Sequence, residues 1–286
     1  MEPVAVGLVG AGPWAEMAHA PMLARGPHTR LAGVWARRPE QAARLGAPVF
    51  ERIEELFDAC EAVAFCVPPA VQAELGVRAA RAGKALLLEK PLAQTLDGAR
   101  RLAGAVAEAG VASQLVLTLR YTRQARAFLA RCGEIQPFGG HAANISGVLL
   151  GDHPFATPWR LEHGALLDVG PHMIDLLDAA LGPVTAVRAH GDPLGWLGLL
   201  LEHEGGAVSE ASLCMAAGGD APPSALAVYG RTGNAVLLPA ADDDPMVTVA
   251  AEFAQTVRNG GGHPLDAAHG LRLQQIIAEA ESQLAP

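Results

Sequence analysis

An alternation of short apolar runs and helical patterns over the first 118 residues constrains the fold more than any other feature of this sequence. Each apolar run is short enough for a single strand, and a stretch of helical spacing follows each of the first four. The runs are Val4–Val9, Leu31–Trp35, Ala62–Val67, Ala85–Leu88 and Val111–Leu117. Successive strand–helix–strand units build a parallel sheet with helices on both faces. The sequence therefore predicts an α/β fold in which residues 1–118 form a doubly wound parallel sheet.

The pattern changes after this first domain, where one strong helix, Pro171–Leu181, precedes several strand-like runs. Two connections between these runs, Glu204–Gly206 and Arg231–Asn234, have the composition of hairpin turns. Residues 119–286 are therefore predicted to form a second, α+β domain with an open-faced, mainly antiparallel sheet. Because that face would expose apolar runs such as Leu197–Leu201, we expect a homodimer or a tetramer in which a second copy covers it.

Composition narrows the classes of function. Charged residues make up 18 % and hydrophobic residues 50 % of the 286-residue chain, which argues against disorder and for two compact domains. The net charge of -9 repels phosphate backbones and anionic membranes, so we expect no nucleic-acid or membrane partner. The first strand begins too early for a signal peptide, and no apolar run approaches the roughly 20 residues of a membrane span. Scattered cysteines and histidines without metal-ligand spacing predict a cytoplasmic protein with reduced thiols and no metal.

A glycine-rich loop, Gly10-Ala11-Gly12-Pro13-Trp14-Ala15, joins the first strand to the first helix. Gly10 permits a tight turn, Gly12 allows main-chain N–H groups to approach a pyrophosphate, and the small Ala15 allows close helix packing. Pro13 suits the first position of a helix, and the N-terminus of that helix attracts phosphate. A plain strand-to-helix turn would explain the loop by itself. Its place at the first junction of a doubly wound pattern favours a dinucleotide site.

The segment after the second strand, Ala36-Arg37-Arg38, indicates which dinucleotide is held. Proteins that bind NAD usually place Asp or Glu here for the ribose hydroxyls. Two guanidinium groups instead suit a 2′-phosphate, so the sequence favours NADP over NAD. The alternative is a solvated basic turn in an arginine-rich chain.

The chain has only two lysines, Lys84 and Lys90, among 21 basic residues. An ammonium group can lose its proton near neutral pH and a guanidinium cannot, so a retained lysine is a candidate proton-transfer group unless the bias is chance. Lys90 follows a strand, where open α/β sheets carry their ligand crevice. Asp168 and His172 stand four apart at the start of the helix Pro171–Leu181. A neutral imidazole there could exchange a proton with Asp168 orienting it, or His172 could have only a structural capping role.

With these motifs the chain resembles the glucose–fructose oxidoreductase and inositol dehydrogenase family, written Gfo/Idh/MocA, over nearly its whole length. The segments that carry the resemblance are the glycine-rich loop, Pro68, Ala82-Gly83-Lys84, Glu89-Lys90-Pro91, Asp168 with Gly170, His172 and Asp175, and His263-Pro264-Leu265-Asp266. The resemblance implies an N-terminal Rossmann domain, a C-terminal open-faced sheet, and oxidation or reduction at a carbon that bears oxygen. In family terms Lys90 and His172 match the catalytic pair and Asp168 matches their acidic companion.

The resemblance also implies which residues contact the cofactor and the substrate. The cofactor set is Gly10, Gly12, Pro13, Trp14, Ala15, Ala36, Arg37, Arg38, Val67, Pro68, Gln72, Glu89 and Lys90. The substrate set is Lys90, Arg120, Tyr121, Trp159, His163, Asp168 and His172. For Trp159, a packed indole beside a surface arginine, Arg160, is an equally good interpretation.

Three departures from the family pattern touch the expected site. Val67-Pro68-Pro69 stands where the family usually has Thr-Pro-Asn, and Gln72 stands where it usually has histidine, so contacts on the nicotinamide side are expected to differ. Glu162-His163-Gly164 adds a titratable ring before the catalytic helix.

The leading hypothesis is an NADP-dependent oxidoreductase that transfers a hydride to or from a small polyol, sugar or related carbonyl compound. A second hypothesis is a catalytically silent NAD(P)-binding sensor of the same fold, which the joint presence of Lys90, Asp168 and His172 argues against. A third is reduction of a C=N or C=C bond in a specialised metabolite.

Overall fold

The computed structural model describes residues 2–219, 225–238 and 244–284. The chain divides into two compact units. Unit 1 comprises Met1–Thr118 and Asp244–Gln274, and unit 2 comprises Leu119–Asp243 and Gln275–Pro286. The sequence analysis placed one boundary near residue 118 and everything after it in the second domain. The structure differs, because a long C-terminal segment returns to unit 1.

A five-stranded parallel sheet forms the centre of unit 1, which confirms the predicted doubly wound fold. Its strands are β1 Val4–Val9, β2 Thr29–Trp35, β3 Ala62–Phe65, β4 Ala85–Glu89 and β5 Ser113–Val116. Strands β1 and β3 are buried along their whole length, as expected when helices cover both faces of a sheet. The sheet order is β2-β1-β3-β4-β5, so the order reverses between β1 and β3. Doubly wound sheets bind ligands at this point, outside the carboxyl ends of the strands.

The helices follow the predicted sequence of elements closely. They are α1 Ala20–Arg25, α2 Pro39–Ala42, α3 Ile53–Asp58, α4 Pro69–Arg81, α5 Leu96–Ala109, α6 Arg123–Cys132, α7 Pro158–Asp168, α8 Gly170–Leu181, α9 Pro245–Asn259 and α10 Ala267–Glu281. A π-helical turn, Ala15–His19, leads into α1, and neither the short α3 nor α7 was predicted. Within the described ranges, no helix combines the length and apolarity needed to cross a bilayer.

The returning C-terminal segment is tied to the edge strand β5. The N–H of Leu115 donates to the carbonyl of Leu265 at 2.7 Å, and the N–H of Ala267 donates to Ser113 Oγ at 3.0 Å. The side chain of Gln114, which is fully buried, donates to the carbonyl of Val249 in α9 at 3.1 Å. These bonds satisfy polar groups that would otherwise be buried at the sheet edge. They explain why Asp244–Gln274 belongs to unit 1.

Unit 2 contains a six-stranded sheet of order β11-β10-β6-β9-β8-β7. Its strands are β6 Pro137–Ile145, β7 Val184–Gly191, β8 Trp196–His203, β9 Val208–Cys214, β10 Ala225–Gly230 and β11 Gly233–Leu237. Neighbouring strands are antiparallel except β6 and β9, which run parallel, so the predicted mainly antiparallel sheet is confirmed. Strand β6 was not predicted, because Gly139 and Gly140 weaken its apolar pattern.

The two faces of this sheet differ in burial. Leu197, Leu199 and Leu201 point to the helix-covered face and are at most 3 % exposed, whereas Trp196 and Leu200 point the other way and are exposed. The expectation that Leu197–Leu201 as a whole would be exposed was therefore wrong, because successive strand residues alternate between faces. The open face carries instead Trp196, Leu200, Val208, Tyr229 and Val236.

Candidate active site

The glycine-rich loop begins where β1 ends. Gly10 has φ +114°, and a Cβ at this position would lie 2.1 Å from the carbonyl oxygen of Cys66. Pro13 takes the first helical position, as predicted, and Glu16 donates its N–H to the carbonyl of Gly12 at 3.1 Å. The first helix therefore starts directly over the carboxyl end of β1, with its N-terminal N–H groups at the edge where the sheet order reverses.

Gly12 gives a test of whether the loop fits a dinucleotide. A Cβ at Gly12 would meet no protein atom within 4 Å, so packing within the protein does not require a glycine there. The space that a side chain would fill lies instead beside the helix N-terminus, where a pyrophosphate needs close approach to the main chain. Ala15 is fully buried, in keeping with the close packing expected of it. The loop therefore fits a dinucleotide.

The segment Ala36-Arg37-Arg38 directly follows β2 at the same edge of the sheet. Arg37 and Arg38 are both exposed, and the structure shows no ion pair for either guanidinium among the described residues. Arg38 has extended backbone angles and precedes α2. Both side chains are thus available to an anionic ligand.

Glu89 and Lys90 lie at the end of β4. The Glu89 carboxylate accepts a hydrogen bond from Trp14 Nε1 at 2.7 Å, and His19 Nε2 lies 2.8 Å from the same oxygen, Oε1. Because a carboxylate can only accept, Nε2 of His19 carries the proton in this contact. The second oxygen, Oε2, accepts from the main-chain N–H of Lys90 at 3.2 Å. Glu89 and Trp14, which the sequence assigned to the cofactor, thus join the first helix to the lysine segment.

Gln72, on α4, contacts the same segment from the other side. Its amide oxygen accepts from the N–H of Glu89 at 2.8 Å, and its amide nitrogen lies 2.7, 3.2 and 3.1 Å from the carbonyls of Glu89, Pro91 and Leu92. The side chain is 1 % exposed. These contacts use both the oxygen and the nitrogen of the amide, so the Gln72 side chain binds main-chain groups. The sequence analysis had predicted a contact with the cofactor instead. Val67 and Pro68 lie between β3 and α4 at the same sheet edge.

The two lysines have different surroundings. Lys84 Nζ donates to the carbonyl of Cys60 at 3.0 Å, next to the end of α3. A cation at a helix C-terminus stabilises the exposed carbonyls there, which is a structural role. The lysine bias of the sequence therefore singles out Lys90 only, at the carboxyl edge of the sheet.

In unit 2, a break in α7 shapes the segment that carries Asp168 and His172. Gly164 has φ +64°, and a Cβ there would lie 2.1 Å from the carbonyl oxygen of Pro193. That carbonyl accepts the N–H of Ala165 at 2.8 Å, so the helix restarts at Ala165. Asp168 ends α7, and His172 lies in the first turn of α8 with its N–H on the carbonyl of Val169 at 3.2 Å. At position 164, only glycine tolerates both the positive φ and the close approach of the Pro193 carbonyl.

The two carboxylates that flank His172 in the sequence, Asp168 and Asp175, are each paired with an arginine. Arg160 Nε lies 2.9 Å from Asp168 Oδ2, and Arg120 Nη1 lies 2.8 Å from Asp175 Oδ1. Both arginine side chains are 18 % exposed, and that of Asp175 is 1 % exposed. The interpretation of Arg160 as a surface residue is therefore wrong. Arg120, predicted to face the substrate, has a buried carboxylate as its partner.

The remaining predicted substrate residues lie around these pairs. The guanidinium carbon of Arg160 is 4.3 Å from the centre of the Trp159 ring, a stacking distance that holds both side chains. Tyr121 is 1 % exposed, next to Arg120 in the chain. His163 is partly exposed at the break in α7, with Nε2 3.9 Å from the carboxylate of Glu162.

Sequence reasoning missed His19, and it gave Gln72 a different partner. His19 is fully buried against Glu89, which is 70 positions away in the chain. No local pattern signals a contact between residues so far apart. Among the described residues, no group of three or more His, Cys, Asp or Glu side chains is placed to hold a metal ion.

The parallel sheet, the loop over β1 and the open space at Gly12 define unit 1 as a dinucleotide-binding domain of the Rossmann type. The chain belongs to the Gfo/Idh/MocA oxidoreductase family. Residues 4–116 match the model of the oxidoreductase family with an NAD-binding Rossmann fold, and residues 122–236 match the Gfo/Idh/MocA C-terminal domain. Together the two matches span both units, which confirms the predicted family.

A curated relative and two solved structures illustrate the similarity. Dehydrogenase FPY6 of Fusarium mangiferae is 30 % identical over 217 residues, which cover 63 % of this chain and 59 % of that protein. The chain thus matches less than two thirds of the length of this relative. The crystal structure of GenD2 from gentamicin A biosynthesis, in complex with NAD, has a TM-score of 0.86 at 20 % identity and covers 99 % of this chain and 94 % of its own. KijD10, a 3-ketoreductase from Actinomadura kijaniata solved with TDP-benzene and NADP, has a TM-score of 0.79 at 22 % identity, covering 99 % and 98 %.

Proposed function

We propose that this protein is an NADP(H)-dependent oxidoreductase that moves a hydride between nicotinamide and a carbon–oxygen centre of a small polyol, sugar or related carbonyl compound. The observation that carries the proposal is the shared sheet edge of unit 1, where the Gly10–Ala15 loop follows β1 and Lys90 follows β4. A 3-ketoreductase among the solved structures of this fold supports chemistry at a carbonyl group.

The choice of NADP rests on Arg37 and Arg38. One of the two structures described above holds NAD and the other NADP, so the likeness does not decide between them. Two exposed guanidinium groups at the end of β2 suit a 2′-phosphate. One charge-assisted hydrogen bond of roughly 1.5–3 kcal/mol corresponds to at least about a tenfold preference for NADP.

Calorimetry with NADP⁺ and NAD⁺ tests this choice. We expect the wild-type protein to prefer NADP⁺ by at least about tenfold, and the double variant Arg37→Gln/Arg38→Gln to lose that preference. Arg100→Gln, a change at another exposed arginine of unit 1, is the matched control and should keep it. Equal affinities of the wild-type protein for both cofactors would contradict the proposal.

Three residues are proposed to carry the chemistry. When bound, the nicotinamide supplies or accepts the hydride. Lys90 donates a hydrogen bond from Nζ to the reacting oxygen and so stabilises charge that develops there. His172 gives or takes the proton at a ring nitrogen, and Asp168 orients that ring. Four further residues are proposed to contact the substrate: Trp159, His163, Tyr121 and Arg120. Arg120 does so while paired with Asp175.

Turnover is the test of the reaction itself. Small polyols, sugars and their keto derivatives are screened with oxidised and reduced cofactor by the absorbance of the reduced nicotinamide. A substrate in one of these classes is expected. Cofactor binding without turnover of any carbonyl, C=N or C=C compound would favour a sensor instead.

We further propose that the open face of the unit 2 sheet is the surface of self-association. It exposes Trp196 by 57 % and Val236 by 56 %, with further apolar side chains between them, and apolar surface of this kind usually marks an interface. Light scattering at micromolar concentration should give the mass of a dimer or tetramer. A monomeric mass would contradict this part of the proposal.

A further inference from the structure

Lys90 lies on a segment whose main chain is held from two sides, by α4 and by the first helix. We propose that Gln72 and His19 are positioning residues for Lys90. This inference rests on the proposed role of Lys90 in the reaction. It assigns a purpose to two buried polar side chains that contact Glu89 and the main chain that follows it.

The contact with Gln72 fixes the course of the chain after β4. The last residue of β4 that pairs with β5 is Glu89, so the carbonyls that follow it lack a strand partner in that ladder. The Gln72 side chain takes the place of a neighbouring strand. Its amide nitrogen lies within hydrogen-bond distance of the carbonyls of Glu89, Pro91 and Leu92, and its amide oxygen accepts from the N–H of Glu89. A side chain with both a donor and an acceptor is needed here, and Glu or Met would each lack one or both.

The contact with His19 fixes the same segment through a carboxylate. His19 and Trp14 both lie within hydrogen-bond distance of Glu89 Oε1, and Glu89 Oε2 accepts the N–H of Lys90. Two donors on one oxygen leave the carboxylate a single orientation, in which the other oxygen lies at the main chain of Lys90. His19 is completely buried, and removal of its ring takes away one of the two donors at Glu89 Oε1.

Together these bonds determine where the Lys90 Cα stands, and hence where a long flexible side chain begins. A displacement of about 1 Å at a reacting group can cost on the order of a hundredfold in rate. A purely structural role of Gln72 and His19 would instead lower stability and leave the surroundings of Lys90 Nζ unchanged. The two possibilities are therefore separable by experiment.

The two-lysine sequence offers a direct spectroscopic readout. Reductive ¹³C-methylation of the whole protein labels Lys84 and Lys90, together with the amino terminus, and Lys84 serves as the internal reference. In Gln72→Met and in His19→Ala we expect the Lys90 resonance to move and the Lys84 resonance to stay. His19→Gln keeps an N–H donor and should restore the wild-type position. His203→Gln alters another buried histidine, which contacts Gly182 and Ser209 in unit 2, and should leave the Lys90 resonance unchanged.

Kinetics on unmethylated protein complete the test. We expect kcat to fall by at least about tenfold in Gln72→Met and in His19→Ala, with the Kd of the cofactor within about twofold. Lower thermal stability with an unmoved Lys90 resonance and unchanged kcat would overturn the inference. If Gln72→Met does not fold, His19→Ala decides the question, because it leaves the bonds of Gln72 intact. The NMR result needs no substrate, so failure of the inference is distinguishable from failure of the proposed reaction.

Discussion

Units 1 and 2 hold their proposed catalytic residues by different means. In unit 1 the main chain of Lys90 is fixed by an amide and by a carboxylate whose donors are an indole, an imidazole and a peptide N–H. In unit 2 the carboxylates that stand before and after His172 in the chain are paired with arginines. The difference teaches what a substitution costs in each unit. Loss of a neutral donor moves a main chain, whereas loss of an arginine leaves a buried charge.

The largest effect is expected at the lysine itself. Lys90→Arg keeps the positive charge, but a planar guanidinium cannot place its donors on the reacting oxygen as a compact ammonium does, so most of the rate should be lost. The loss of one hydrogen-bond donor to developing charge costs about 10²- to 10³-fold in rate, or roughly 2.7–4 kcal/mol of barrier. Steady-state kinetics on an identified substrate measures the loss, and calorimetry should show nearly unchanged cofactor affinity.

Lys84→Arg is the matched control, because the Lys84 ammonium donates to the carbonyl of Cys60, in a structural role. Wild-type turnover in Lys90→Arg would show that Lys90 takes no part in the reaction. A similar loss in both variants would mean that the two lysines share a structural role.

Removal of the arginine from the most buried pair should mainly affect stability. Arg120→Met leaves the Asp175 carboxylate buried without that cation, and breaking a buried pair in this way costs about 3–5 kcal/mol. Urea unfolding measures the change. The control is Arg101→Met, whose i,i+4 pair with Asp97 is exposed and should be worth about 0.3–0.5 kcal/mol.

The double variant Arg120→Met/Asp175→Leu sharpens this comparison. Replacing both members removes the charge as well as its partner, so much of the lost stability should return. A double variant no more stable than Arg120→Met would show that Asp175 is held in place by something other than its charge balance.

A smaller effect should distinguish the units at alkaline pH. Burial raises the pKa of the Cys132 thiol in unit 2 to about 11. Burial also raises the pKa of Cys60 in unit 1, but a hydrogen bond from Gly7 and the charge of Lys84 oppose the shift. A native pKa above the unfolded value means that the unfolded state loses its proton first. The stabilisation that the Cys132 thiol contributes is therefore fully present below its unfolded pKa, near 9. It is lost as the pH rises toward the native pKa of about 11.

Urea unfolding from pH 8 to 11 measures this loss. The wild-type protein should lose up to about 2–3 kcal/mol more over this range than Cys132→Ala. Cys60→Ala should differ less from wild type. Identical slopes for wild type and Cys132→Ala would show that the thiol is not protected by burial.

The sequence predicted the parts of the structure that are encoded locally. Strands β1 to β5 are compact apolar runs, and Gly10, Pro13 and Gly12 are constrained by one turn, so both were found. Strand β6 was missed because Gly139 and Gly140 weaken its apolar pattern, and the strands that stabilise it, β9 and β10, follow it in the chain by more than 60 residues. The contacts of His19 and Arg120 were missed for the same reason, since each has its partner more than 50 positions away.

The return of Asp244–Gln274 to the first sheet bears on the order in which the protein can be made. A ribosome releases residues 1–118 long before Leu265 and Ala267, whose main-chain bonds with Leu115 and Ser113 complete the edge at β5. In the nascent dinucleotide-binding domain, the edge at β5 therefore stays incomplete while all strands of the second sheet are synthesised. An unfinished strand edge is prone to aggregate. An isolated cofactor domain made for study should accordingly carry residues 244–274 fused behind residue 118, since the N-terminal segment by itself is only part of the folding unit.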